Sequence, residues 1–141
     1  MTVDRDLVTR KLLLIAADLD PLGSIAERGA DAYVASMMDQ ALGERRLERA
    51  IGRMIDVNFH LLTAGGQPPP PDYHSSFLRL TELGVLDAEF ARRIARTAGL
   101  RNRLVHDYDE LDQRLVFEAL VEALRDVPRY LAAVNAYLKR L

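Results

Sequence analysis

The chain has 141 residues, enough for one domain with a single core, and its 49% apolar and 28% charged residues are an ordinary balance for a folded globular protein. It has no cysteine, which excludes a disulfide framework and a thiolate metal site. The formal net charge is −2 and no apolar run approaches the ~20 residues of a membrane-spanning helix, so neither a polyanion-coating protein nor a membrane protein is expected. Thr2-Val3-Asp4-Arg5-Asp6 has neither the basic nor the apolar stretch of an export signal, and a cytoplasmic protein is expected.

Helical periodicity runs through the sequence, and no stretch alternates convincingly with period two. Thr2 or Asp4 can cap a first helix with the stripe Val8, Leu12, Ile15, Leu19 and Leu22, which Pro21 or Gly23 could bend or end. A turn of helix is expected around Asp31–Ser36. The next long helix runs from about Met38 to Ala64, with Leu47, Ile51, Met54, Asn58 and Leu61 on one line. Gly65-Gly66 stops it, and Gln67-Pro68-Pro69-Pro70-Pro71 is a stiff extended connector.

A shorter helix is expected from about Ser75 to Leu83, ended by Gly84. Asp87 is the N-cap of a further helix whose Phe90, Ile94 and Ala98 point inward. The last helix begins near Asp112, and Phe117, Leu120, Leu124, Val127, Leu131, Val134, Leu138 and Leu141 alternate steps of three and four. Such a seam wants a long partner helix, within the bundle or across a dimer, and Pro128 predicts a kink near Leu124–Pro128. Residues 1–141 therefore read as one domain, an all-α up-and-down bundle of four to five main helices with the proline run as an internal loop.

Chemistry concentrates between Phe90 and His106, where five arginines (Arg92, Arg93, Arg96, Arg101, Arg103) and no acid give a local +5 on an acidic body. Such a patch suits a focused contact with phosphate. For Arg92, Arg93 and Arg96 the solvated face of a helix is an equal reading. Breaking an RNA phosphodiester without a metal needs a base for the 2′-hydroxyl proton, an acid for the leaving 5′-oxygen and cations around the phosphorane. His106 is the natural proton shuttle, Arg101 offers a planar charged fork to phosphate oxygens, and Asn102 can orient either partner.

Helical geometry puts Asn102 and His106 on one face. If the helix continued to Tyr108, that residue would return to the azimuth of Arg101. Arg101 falls near the Ile94–Ala98–Val105 stripe, so it should be semi-buried and needs an anionic or aromatic partner. Tyr108, a substrate phosphate and a group from a second protomer all qualify. One histidine is too few for two proton transfers, which predicts a homodimer bringing two copies of Arg101 and His106 to one cleft.

The stretch Arg101-Asn102-Arg103-Leu104-Val105-His106-Asp107-Tyr108 resembles the R-polar-xxx-H-x-Y signature of the HEPN superfamily, in particular the HepT-like toxins. Those are all-helical ribonucleases encoded beside an MntA-type nucleotidyltransferase antitoxin. The resemblance implies an endoribonuclease acting on tRNA or mRNA, with Arg101, Asn102 and His106 in a composite site at a dimer seam. It also implies that Tyr108 accepts AMP from the partner nucleotidyltransferase, which blocks the site. The N-terminal third matches only in its helical character. An alternative reading is a non-catalytic subunit that docks the nucleotidyltransferase and presents its substrate.

Other polar residues read more plainly. Asn58 is a core asparagine bonded within the bundle, Asp56 and His60 form a modest i, i+4 surface contact, and His74 is a loop residue near a helix start. Asp107, Asp109, Glu110 and Asp112 serve capping and the helix dipole rather than a metal. There is no metal-ligand spacing, glycine-rich phosphate loop or nucleophile elbow, so no metal or cofactor is expected.

Overall fold

In the computed structural model, which describes residues 2–141, the regular elements are helices: α1 (Arg5–Arg28), α2 (Ala30–Val34), α3 (Met37–Ala64), α4 (Tyr73–Leu78), α5 (Ala88–His106) and α6 (Gln113–Arg140). Two single 3-10 turns, Arg79–Thr81 and Tyr108–Glu110, complete the regular structure among these residues. Four long helices make the bundle that the periodicity predicts, and α2 and α4 are short connecting pieces. None of the helices is long and apolar enough to cross a membrane.

Side-chain caps start five of the six helices. Asp4 accepts from the Leu7 N–H at 3.0 Å, Ser36 from Asp39 at 3.1 Å, Asp72 from Ser75 at 2.7 Å, Asp87 from Phe90 at 2.8 Å and Asp112 from Arg114 at 3.0 Å. Each satisfies a backbone donor that the first turn leaves unpaired. Asp4 rather than Thr2 is the first cap. Asp72 moves the start of α4 ahead of the expected Ser75, so His74 is helical and not a loop residue; its Nδ1 sits 3.2 Å from the Ala95 carbonyl oxygen. That helix stops at Leu78, and the 3-10 turn leads to Gly84 at φ +75°.

Neither Pro21 nor Gly23 ends α1, which continues to Arg28 and turns at Gly29 with φ +88°. The reason is packing: Leu22 and Ile25 are buried and prolong the same stripe, which outweighs one missing backbone hydrogen bond. Likewise α6 runs unbroken through the exposed Pro128.

The buried face of α6 is Val116, Leu120, Ala123, Val127, Tyr130, Val134, Tyr137 and Leu138. Of the predicted seam, Leu120, Val127, Val134 and Leu138 are buried as expected, and the other half of the buried face is shifted by about one position. Phe117, Leu124 and Leu131 are only partly buried, and Leu141 is exposed. Tyr130 shows why the face is shifted. Its hydroxyl donates to Asn58 Oδ1 of α3, and Asn58 Nδ2 donates to Ser76 Oγ of α4 at 3.1 Å. Asn58 is fully buried and joins three helices, as a core asparagine should. Burial raises the Tyr130 phenol well above its ordinary pKa.

Polar ties also fix α1 on α3. Asp18, 1% exposed, is held by Arg46 at 2.9 Å and by Arg53. Asp56 and His60 do not pair with each other. Asp56 meets Lys11 at 3.1 Å, and His60 Nε2 accepts from the Asp4 N–H at 3.0 Å. Both side chains instead reach across to the start of the chain, Asp56 to Lys11 on α1 and His60 to the residue that caps it.

Candidate functional site

Helix α5 buries Phe90, Ala91, Ile94, Ala95, Ala98, Leu100 and Leu104, which sets the azimuth of everything else it carries. Arg93 and Arg96 turn toward α6 and pair with Asp126 at 2.6 Å and Glu122 at 3.3 Å. These two arginines tie helices together and are not free cations. Arg92 is exposed and makes no ion pair among the described residues.

The helix ends where the sequence pattern ends. The Asp107 N–H donates to the Arg103 carbonyl at 2.8 Å, and Asp107 leaves helical geometry at φ −116°, ψ 29°. Asn102 and His106 stand one turn apart on the same face, both exposed. Tyr108 does not return over Arg101, because α5 has already stopped; it opens the following 3-10 turn and is 61% exposed. His106, Asp107, Tyr108, Asp109 and Glu110 line a shallow depression of about 200 Å³.

Arg101 is partly buried, and its partner is aromatic, but the ring is Tyr73 at the start of α4 rather than Tyr108. The guanidinium carbon lies 5.5 Å from the Tyr73 ring centre, and Phe59 braces that ring edge-on at 6.2 Å. Behind the arginine is Gly52 of α3, where a Cβ would stand 3.4 Å from Nε. Arg101 Nε is sealed from solvent and has no hydrogen-bond partner. The side chain is thus clamped between a ring and a bare stretch of helix, with its terminal nitrogens left to meet an anion.

On the same side lies an open cleft of about 300 Å³, lined by Lys11 of α1, Glu48, Arg49, Gly52, Arg53 and Asp56 of α3, and Arg101. The sequence reading missed this wall. Its signal was the polar line Arg49–Arg53–Asp56, spaced at helical intervals opposite the apolar stripe of α3. Tyr73 had no comparable signal, because it reaches Arg101 only through the packing of α4 against α5.

Of the acids beyond α5, Asp112 caps α6 and none of Asp107, Asp109 and Glu110 makes an ion pair among the described residues. No group of three or more His, Asp or Glu that could hold a metal ion occurs among the described residues.

Known proteins resemble this chain over most of its length. The family model described as "Ribonuclease HepT-like" matches residues 11–134. A "tRNA nuclease HepT" of Aphanizomenon flos-aquae is 35% identical over 132 residues, 94% of this chain and 90% of its own. An "mRNA nuclease HepT" of Shewanella oneidensis is 26% identical over 90 residues, 64% of this chain and 68% of its own. Among solved structures, a tri-AMPylated HEPN toxin of Shewanella oneidensis in complex with an MNT antitoxin superposes with a TM-score of 0.84. It is 21% identical, and the match covers 93% of this chain and 98% of that one, so the fold is shared.

Proposed function

We propose, from the premise that this chain belongs to the ribonuclease HepT-like family, that it is a metal-independent endoribonuclease toxin, neutralised when an MntA-type nucleotidyltransferase transfers AMP to Tyr108. It is one domain, works in the cytoplasm and acts as a homodimer. The observation that carries this reading is the end of α5. There the family-matched stretch presents His106 and Asn102 to solvent, with Arg101 clamped in the turn before His106 and Tyr108 on the turn after it.

The chemistry follows from these groups. Arg101 binds the non-bridging oxygens of the scissile phosphate and stabilises the charge that builds on the phosphorane. One His106 takes the proton of the ribose 2′-hydroxyl, which attacks phosphorus. The His106 of the second protomer gives a proton to the departing 5′-oxygen. The products are a 2′,3′-cyclic phosphate and a 5′-hydroxyl. Asn102, on the turn before His106, orients the imidazole or the phosphate. A single chain offers one His106, so the reaction needs two copies of this helix end in one cleft.

The relatives named as a tRNA nuclease and an mRNA nuclease support RNA as substrate, and the first, matching 94% of this chain, favours tRNA. The tri-AMPylated toxin bound to its antitoxin supports Tyr108 as acceptor, since Tyr108 is exposed beside His106. A bulky anionic nucleotide there would fill the position of the substrate phosphate.

The test is to incubate the isolated dimer, shown by intact mass to be unmodified, with tRNA in EDTA. Cleavage leaving a 2′,3′-cyclic phosphate is expected. Silence would replace the enzyme with the non-catalytic binding subunit. Sedimentation that finds a monomer at active concentrations would remove the composite site.

A further inference from the structure

We infer that the cleft between α1, α3 and α5 is a second phosphate-binding subsite, taking the RNA backbone next to the scissile linkage with Arg49 as its cation. The inference rests on the nuclease reading of the neighbouring site and extends it to how the strand is held.

The charges that line the cleft do not balance. Lys11 is engaged by Asp56 at 3.1 Å, Arg53 by the buried Asp18, and Glu48 by Arg45 at 3.5 Å. Both acids of the lining are therefore already matched. Two cations remain without an anion: Arg101, with its orphan Nε, and Arg49, which is exposed and makes no hydrogen bond or ion pair among the described residues. Arg49 lies three residues before Gly52, the point on α3 against which Arg101 rests, so its backbone stands about one helical turn, roughly 5 Å along α3, from that point, and both side chains line the same cleft. A strand whose scissile phosphate sits on Arg101 has only to continue across α3 to bring its next phosphate to Arg49.

The chemistry of the lining selects backbone over base. Every side chain in it is charged, and it holds no aromatic ring on which a base could stack. The subsite therefore adds affinity without sequence preference, and its contribution depends on salt.

The experiment compares wild type, Arg49→Ala and Arg49→Lys as unmodified dimers, using fluorescence anisotropy with a 2′-O-methyl oligoribonucleotide that cannot be cleaved. Arg49→Ala is expected to bind more weakly. Its log–log salt slope should fall by about 0.7 for each phosphate left without its cation, so the wild-type advantage shrinks about threefold between about 50 and about 200 mM salt. Arg49→Lys should keep the slope. On cleavable RNA, Arg49→Ala should raise KM with kcat unchanged, and a dinucleotide with one phosphate should be cut equally by both proteins. Melting temperatures should agree, because Arg49 has no partner to lose.

Equal binding and equal slopes in wild type and Arg49→Ala would overturn the subsite and leave the nuclease intact. A fall in kcat rather than a rise in KM would also overturn it, by placing Arg49 in the reaction itself. If wild type cuts nothing while Arg49→Ala still weakens binding of the uncleavable strand, the subsite stands and the nuclease reading fails.

Discussion

The guanidinium of Arg101 faces the ring of Tyr73 at 5.5 Å, across the gap between α5 and the first turn of α4. The ring fixes where the cation points and does so without neutralising it. Removing the ring by Tyr73→Ala should lower kcat/KM for RNA about twofold to thirtyfold, the range of a cation–π interaction of about 0.5–2 kcal/mol. Tyr73→Phe should stay close to wild type, because the face of the ring and not its hydroxyl meets the guanidinium. Steady-state kinetics on one RNA checks both, and equal losses in the two variants would contradict the clamp.

His106→Ala should lower cleavage by about 10²- to 10⁴-fold, the usual contribution of a positioned proton-transfer group. Arg101→Ala should be similarly inactive, and neither variant should arrest growth. His106 is exposed, so its loss should leave the melting curve by circular dichroism unchanged. Full cleavage by His106→Ala would remove the mechanism.

Tyr108→Phe separates catalysis from neutralisation. The variant should cut RNA at the wild-type rate yet gain no AMP when mixed with the nucleotidyltransferase and ATP. Intact mass reads the modification and a cleavage assay reads the activity. Modification of the variant would move the acceptor to another side chain.

How much of this was legible in the sequence depends on how local each determinant is. Asp87 and Asp112 cap α5 and α6 as read, because a cap is set by residues three positions apart. Phe90, Ile94 and Ala98 point inward for the same reason, one helical period. The seam of α6 was misplaced by about one position, since leucine spacing says nothing of a buried asparagine on α3 that draws Tyr130 inward. Pro21 looked like a terminator because the sequence shows the missing hydrogen bond and not the buried Leu22 and Ile25 beyond it. At the site, the order Arg101, Asn102, His106 and Tyr108 was visible as a string, whereas Tyr73, Gly52 and Arg49 come from two other helices and share no pattern with it.

Tyr130→Phe should destabilise the fold by about 1–3 kcal/mol, since it leaves Asn58 Oδ1 buried without its donor. Urea denaturation measures it. A variant as stable as wild type would mean that the hydroxyl contributes nothing to joining α3 and α6.

Stability in acid should report on the cap of α5. The Asp87 carboxyl is held below its ordinary 3.8 by the Phe90 N–H and, less strongly, by Arg129. A depressed folded pKa means that its contribution is complete above 3.8 and is lost as pH falls through the folded value. Wild type should therefore melt above Asp87→Ala near neutrality, and the two curves should converge in acid. Curves that stay parallel to low pH would show that the carboxylate is not the group responsible.

Because α5 stops at His106, Tyr108 rides on a turn that contributes no buried side chain. Whatever is attached to that hydroxyl, once or repeatedly, adds bulk where no packing has to give way. On the proposed reading, an on–off mark carried this way would silence the protein by crowding its doorway while the architecture keeps its full cohesion, so the silenced form need be no less durable than the active one.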